Sequence, residues 1–441
     1  MPVNSTEEGL KKEIGISGLS LSIVNGVIGA GIFALPGIVG ASLGAFGIFG
    51  YLFCGIMMAA IMLCYAEIGS KVSKSGGSYA YVEAAFGPLP AYIINWLYFF
   101  GWSILGSAAL VNIIADSLAA IFPVLKDPLF RGLLFFVLIS FMIWINVRGV
   151  KQGLKFIQSI TVIKLIPLVA IIILGVGLIQ PGNLQWKQVP SLSTFGDAVL
   201  ILFFAFSGFE TCLGASGEIK QPSKTLPWGI IIGGSVVLVI YILLQMVTQG
   251  ILGEQLSSFR DAPLAAVSER IVGSSGAIVL LAAAAISCFG SVFMDIMATP
   301  RTLFAMANNG VFPRFLGKVH PQFASPYLAI LCYGGAIFIF SISGSFQQLA
   351  SLASASILLI YLAVVLSTIK LRPKMDGTLN AFKAPGGWVT PLVAVASIGW
   401  LLTSLKKMEI IATLIFILLV VIVFFSMKWI KRSLAFVTLK K

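Results

Sequence analysis

The chain has 441 residues, of which 58% are hydrophobic and only 10% charged, with a mean hydropathy of +1.02. Soluble domains run at about 45–50% apolar and about 25% charged residues, so this composition excludes a soluble enzyme, a disordered chain and a nucleic-acid binder. The formal net charge of +13 then reads as membrane topology rather than as an acidic partner.

In chain order, residues 1–16 are a polar tail without a cleavable leader pattern. A helix that crosses a bilayer needs about 20 mostly apolar residues. Twelve such runs follow, at 17–41, 44–69, 91–121, 132–147, 157–179, 195–217, 227–250, 275–299, 326–344, 346–369, 388–405 and 409–430. Short polar connections join them. The expected fold is therefore an all-α polytopic membrane protein, one bundle of twelve transmembrane helices whose backbone satisfies its own hydrogen bonds.

With the N-terminus in the cytoplasm, the inner segments hold 21 Lys and Arg and the outer segments 7; Lys164, inside span five, is the last of the 29. Positive residues concentrate on the cytoplasmic side, so both termini are expected inside a plasma or inner cell membrane.

Span one reads LSIVNGVIGAGIFALPG, with Gly26, Gly29 and Gly31 in its middle. Span six reads ILFFAFSGFETCLGASGE, with Ser207-Gly208 in mid-span. A glycine in a helix interior costs about 1 kcal/mol relative to alanine. Singly, such glycines serve close helix packing. As a pair they fall on the first member of each of two five-span sets, 1–5 and 6–10, and matched interruptions point to a binding site at mid-membrane. An odd repeat length inverts the second set. The expected organisation is a first five-helix repeat over 17–179, an inverted second repeat over 195–369, two extra helices over 388–430 and a cytoplasmic tail at 431–441.

Breaks free backbone groups, which survive at membrane depth only where they line a cavity. The N–H groups of Ala30, Gly31 and Ile32 sit at the positive end of the second half-helix and suit a carboxylate. Carbonyls near Val27, Phe204 and Ser207 suit an ammonium. Together they would hold a zwitterion such as an amino acid. The small apolar stretch Phe204, Ala205, Phe206 and Ser207 favours a neutral side chain. A dinucleotide reading of Gly-x-Gly needs a βαβ unit, which this pattern lacks.

At these residues the sequence resembles the amino acid–polyamine–organocation transporter family. VNGVIGAGIFALPG, YAEIGSKVSKSGGSYAYVEAAFGP, FFAFSGFET with GEIKQPSKTLPWGI, and SCFGSVFMDIMATPRTLFAMANNGVFP carry the resemblance. It implies the five-plus-five inverted repeat with two extra C-terminal helices, and alternating access. It also implies that Ala30 and Gly31 take the substrate carboxylate, and that Phe204 gates the substrate.

Charges at membrane depth are costly and usually functional. The resemblance implies that Lys164 in span five puts its ammonium where sodium-coupled relatives bind sodium, near Gly26 and the hydroxyls of Ser287 and Ser291. Its charge would replace the ion and exchange a proton each cycle, making transport sodium-independent. Glu210, just after the span-six break, is a proton sensor, an attractor of a cationic substrate, or a carboxylate hydrogen-bonded to the broken backbone. Asp116 and Asp295 read as polar contacts inside the bundle. For Glu67 and Glu83 the resemblance implies inner-side structure, with gating contacts to Lys71, Lys74 or Arg148. The basic runs at 370–374 and 428–432 flank helices and follow from topology, with membrane lipid as their neighbour.

The expected function is a sodium-independent secondary carrier of neutral amino acids, coupled to protons or working by exchange. A cationic amino acid or polyamine carrier using Glu210 or Asp116 is the alternative, and a membrane amino-acid sensor of the same fold the alternative of another class. A channel would need a filter or a ring of charges. A membrane enzyme would need clustered catalytic groups, and one His with scattered carboxylates does not supply them. Five cysteines, all inside apolar runs, imply no disulfide framework, and no metal or cofactor is expected. The sequence carries no signal for oligomeric state.

Overall fold

A computed structural model of the protein describes residues 14–29, 31–72, 77–148, 153–186, 188–213, 219–259, 262–308, 312–323, 325–373 and 382–438, with the side chains of 153–163, 212, 213, 222, 305 and 428–438 left aside. Of the expected functional positions, Ala30 lies outside the described residues, as do Lys74 and, in the basic run at 370–374, Lys374.

The first expected span is two helices, α1 (Ile16–Val27) and α2 (Gly31–Leu43). Then come α3 (Gly47–Lys71) and a short helix α4 (Gly77–Phe86). The next span starts as α5 (Pro88–Trp96), runs through a π-helical stretch at Leu97–Ile104 and ends as α6 (Leu105–Ala119). It is followed by α7 (Pro128–Arg148) and α8 (Gly153–Gly175). The sixth expected span is again two pieces, α9 (Leu192–Phe206) and α10 (Phe209–Leu213). The remainder is α11 (Pro222–Leu252), α12 (Pro263–Val272), α13 (Ser274–Asn308), α14 (Tyr327–Ser343), α15 (Phe346–Leu371), α16 (Val389–Thr403) and α17 (Lys407–Thr438).

Among the described residues the regular structure is helical, with one isolated bridge between Ile14 and Ile219. Eight helical stretches are long and apolar enough to cross a membrane, and four shorter apolar helices accompany them. The helices start where local chemistry directs. Ser191 caps α9 by accepting from Thr194 N–H at 3.1 Å, and Ser345 with Gln348 forms a reciprocal capping box on α15.

Helices outrun the apolar runs where polar residues still propagate them. The eighth run ends at 299, yet α13 continues through Pro300 to Asn308. Two helices, α4 and α12, answer to no expected span, because each has only 10 residues and is too short to cross.

The two interrupted helices meet. α1 packs on α10 and α2 on α9, so they run antiparallel. α13 packs on α6 and α8, and α11 covers both α1 and α3. Large apolar side chains such as Ile56, Leu129, Ile173 and Leu418 remain exposed. On a soluble protein so much exposed apolar surface would be a liability; here it is the surface that meets lipid.

Candidate functional site

Where a helix stops, its last carbonyls need new donors. The α1 break shows how this chain supplies them. Ile28 N–H still reaches Val24 O at 2.9 Å, but Gly29 N–H turns back to Val27 O at 2.7 Å. That leaves Asn25 without its helical partner, and Lys164 from α8 donates its Nζ to the Asn25 carbonyl at 3.0 Å. Tyr241 from α11 places its hydroxyl 3.0 Å from both Val27 O and Ala205 O, bridging the two interrupted helices.

The α9 end is closed by its own side chains. Ser207 Oγ donates to Phe203 O at 2.8 Å, and Thr211 Oγ1 to Gly208 O at 2.6 Å. Gly208 adopts φ 115°, and a Cβ built on it would lie 2.6 Å from the Gly26 carbonyl oxygen. Only glycine fits a backbone that both needs positive φ and touches a second backbone. Glu210 accepts from Gly208 N–H at 3.0 Å and from the Tyr361 hydroxyl through Oε2; Oε1 has no bond of normal geometry among the described residues, with the Trp102 indole as neighbouring donor. Of the roles the sequence left open for Glu210, these bonds match the carboxylate bonded to broken backbone and do not bear on proton sensing or substrate attraction.

Beside the junction lies a cavity of about 790 Å³. Asn25, Gly26, Lys164, Phe204, Gly208, Glu210, Ser287 and Ser291 line it. Lys164 is 3% exposed and bonds Asn25, one residue before the expected Gly26. Neither serine bonds the ammonium: Ser291 Oγ donates to Ser287 O at 3.1 Å, and Ser287 Oγ is buried with no partner among the described residues. Phe204 meets Trp102 at 5.5 Å and Phe346 at 5.9 Å between ring centroids, forming an aromatic ceiling.

Several expected binding positions stand behind the wall instead. Val27, Gly31, Ile32, Ala205 and Ser207 are buried and do not line the cavity. The Val27 and Ala205 carbonyls face the Tyr241 hydroxyl, so the idea that Val27 is left free for an ammonium does not match this arrangement. Gly31 packs against Ala205, whose Cβ would sit 3.4 Å from an added Cβ.

The other buried charges sort by distance from the site. Asp116 pairs with Arg131 at 2.7 Å, away from the cavity wall. Glu67 at the end of α3 receives Arg372 from the end of α15, Lys71 at 3.1 Å and the Ala384 N–H at 3.0 Å. Arg148, offered as a partner for Glu67 or Glu83, stacks on Trp144. Arg372, read from sequence as a basic flank, is thus an internal partner. Glu83 accepts from Tyr79, whose hydroxyl pKa is pushed up to about 12, first by burial and then by that bond.

Sequence reasoning missed three participants. Tyr241 sits in an apolar run and carried no signal. Tyr361 was equally silent. Asp295, taken as a bundle contact, lies on the cavity wall with Ser103, Ser107 and Thr299; the π-helical stretch holding Ser103 is a feature often found at functional sites.

A family profile described as amino acid permease matches residues 14–437. The serine/threonine exchanger SteT of Bacillus subtilis (strain 168) is 28% identical over 426 residues, covering 91% of this chain and 93% of its own. The branched-chain amino acid permease BcaP of the same organism is 26% identical over 437 residues, covering 96% and 94%. The large neutral amino acids transporter small subunit 2 of Mus musculus is 29% identical over 336 residues, covering 73% and 63%.

Proposed function

Because the chain belongs to the amino acid permease family, we propose that it carries neutral amino acids across the cell membrane by alternating access, without sodium, as a proton symporter or an exchanger. Amino acid transport itself follows from the family, and the protein is a multi-pass membrane transporter rather than an enzyme. The proposed architecture is twelve spans in a five-plus-five inverted repeat with two extra helices, both termini cytoplasmic. The antiparallel contact of the two interrupted helices supports it.

The observation that carries the reading is the junction itself, with Gly208 against the Gly26 carbonyl and Lys164 on the Asn25 carbonyl beside an open cavity. In the proposed cycle the N–H groups of Ala30, Gly31 and Ile32 take the substrate carboxylate in a state other than this one, in which Gly31 and Ile32 do not line the cavity. The ammonium goes to free carbonyl lone pairs on the cavity side of the junction, with Gly26 as the carbonyl on the wall. Phe204 closes over the bound molecule. Lys164, when protonated, supplies a positive charge where an ion would otherwise join α1 to α8 and α13, so no sodium is required. The proton is proposed to move through Lys164, and Glu210 holds the span-six break together.

The test is uptake by purified protein in liposomes, with a panel of labelled amino acids and imposed proton or sodium gradients. The expected result is counterflow of neutral amino acids that ignores sodium. Uptake that requires sodium would refute the role given to Lys164, and a protein that binds amino acids without any counterflow would be a sensor.

A further inference from the structure

Ser103 and the helix α6 residue Ser107 face Asp295 and Thr299 of α13, and Tyr333 of α14 reaches in from behind. Ser107 donates to Asp295 Oδ2 at 2.6 Å, Ser103 to the same oxygen at 2.8 Å, Tyr333 to it at 2.6 Å, and Thr299 to Oδ1 at 2.8 Å. Each hydroxyl has one proton to give. Ser103 Oγ also lies 2.6 Å from the Tyr333 hydroxyl and 3.3 Å from Thr299 Oγ1, so all four protons have acceptors inside the cluster, and the group offers the cavity oxygen lone pairs and a negative charge. Among the described residues no Lys or Arg forms an ion pair with Asp295. The four hydroxyl residues are buried while Asp295 is only half-buried, so this face is turned to the cavity it lines.

We infer that this cluster is the substrate side-chain subsite, and that it takes a side chain carrying a hydrogen-bond donor, a hydroxyl or an ammonium, in preference to a plain aliphatic one. The inference rests on the proposed amino acid carriage and refines its substrate class. A methyl group placed there would cover a carboxylate without replacing its water, which is unfavourable. A site built to hydrogen-bond a substrate rejects the isostere that lacks the group far more strongly than an apolar pocket rejects one extra methylene.

The test compares near-isosteric pairs in proteoliposome counterflow: threonine against valine for the hydroxyl, and 2,4-diaminobutyrate against 2-aminobutyrate for the ammonium. The expected result is at least a roughly tenfold preference for the donor-bearing member of one pair, the scale of a single well-placed hydrogen bond. Asp295→Asn and, separately, Ser107→Ala should bring that ratio towards one. Ser107→Ala carries the test if Asp295→Asn does not fold. Equal rates within both pairs, or a ratio unmoved by both substitutions, overturn the inference while leaving the carrier intact. A preference for 2,4-diaminobutyrate upholds the subsite and overturns the neutral-substrate reading. No counterflow of any of the four overturns the carrier reading and this inference with it.

Discussion

Lys164 and Tyr241 do the same job by different chemistry: each supplies a donor to carbonyls that α1 and α9 leave behind when they stop. For Lys164 the bond is charge-assisted, worth about 1.5–3 kcal/mol, and the acceptor is the Asn25 carbonyl at 3.0 Å. Lys164→Ala should therefore slow initial uptake at least about tenfold, measured in proteoliposomes against unchanged protein content. A variant as fast as the parent would remove Lys164 from the cycle. Tyr241 shares one hydroxyl proton between Val27 O and Ala205 O, and its ring packs near Phe206 at 5.0 Å. Tyr241→Phe keeps the ring and loses the proton. Leaving a buried carbonyl unpaired costs about 1–3 kcal/mol, so the thermal unfolding midpoint in detergent should fall, and Tyr241→Leu, which also loses the ring contact, should fall further. Equal midpoints for Tyr241→Phe and the parent would mean that the carbonyls find other donors.

At the scale of elements, the two helix interruptions impose a glycine at one position above all. Gly208→Ala adds a Cβ that would stand 2.6 Å from Gly26 O while forcing a left-handed φ of 115° on alanine. It should abolish uptake and lower the unfolding midpoint sharply. Gly335→Ala in α14, where an added Cβ meets nothing within 4 Å, should instead be neutral or slightly stabilising, because alanine favours a helix interior by about 1 kcal/mol. If the two variants behaved alike, the junction would not be tight. The interruptions were legible in the sequence, since glycines at matched mid-span places advertise them. The donors that close them were not. Tyr241 lies 214 residues from Val27 and 36 from Ala205, inside a run whose hydropathy looks like any lipid-spanning helix. A hydropathy pattern records which residues are apolar; it does not record which partner a single hydroxyl meets. The Lys164 bond shifted by one residue for a related reason: glycine spacing marks where a helix weakens, while the residue whose carbonyl is released depends on how Ile28 and Gly29 turn back. Asp295 was read as an internal contact because the four hydroxyls around it come from three different helices and share no sequence pattern.

Over the whole molecule, the cavity lining runs between two ends. At one end Phe204 stands with Trp102 and Phe346, and beyond them Leu256 presses on Gly40, where an added Cβ would fall 2.2 Å from the Leu256 side chain. The wall descends the other way to Tyr79, Thr302 and Met306, on the side where the chain enters at Ile14 and where Glu67 ties α3 to α15 through Arg372. Breaking a buried ion pair by removing one partner costs about 3–5 kcal/mol, so Arg372→Ala should destabilise the protein markedly, read as a lower unfolding midpoint. If the N-terminal side is cytoplasmic, as the distribution of Lys and Arg proposes, the Thr302 end of the cavity faces the cytoplasm, as the inward-facing state of the proposed cycle requires. Cysteine labelling decides it. In a background with the native cysteines replaced, Thr302→Cys, exposed on the cavity wall, should react with a membrane-impermeant thiol reagent added to inside-out vesicles and stay protected in right-side-out ones. Ser257→Cys, exposed on the 3-10 helix Gly253–Phe259 after α11, should show the reverse pattern. Saturating substrate should slow the Thr302→Cys reaction, because a molecule under Phe204 fills the path, and should leave Ser257→Cys unchanged. Labelling of both positions from one side would overturn the span arrangement itself, and labelling of Thr302→Cys only from outside would overturn the proposed orientation while keeping the fold.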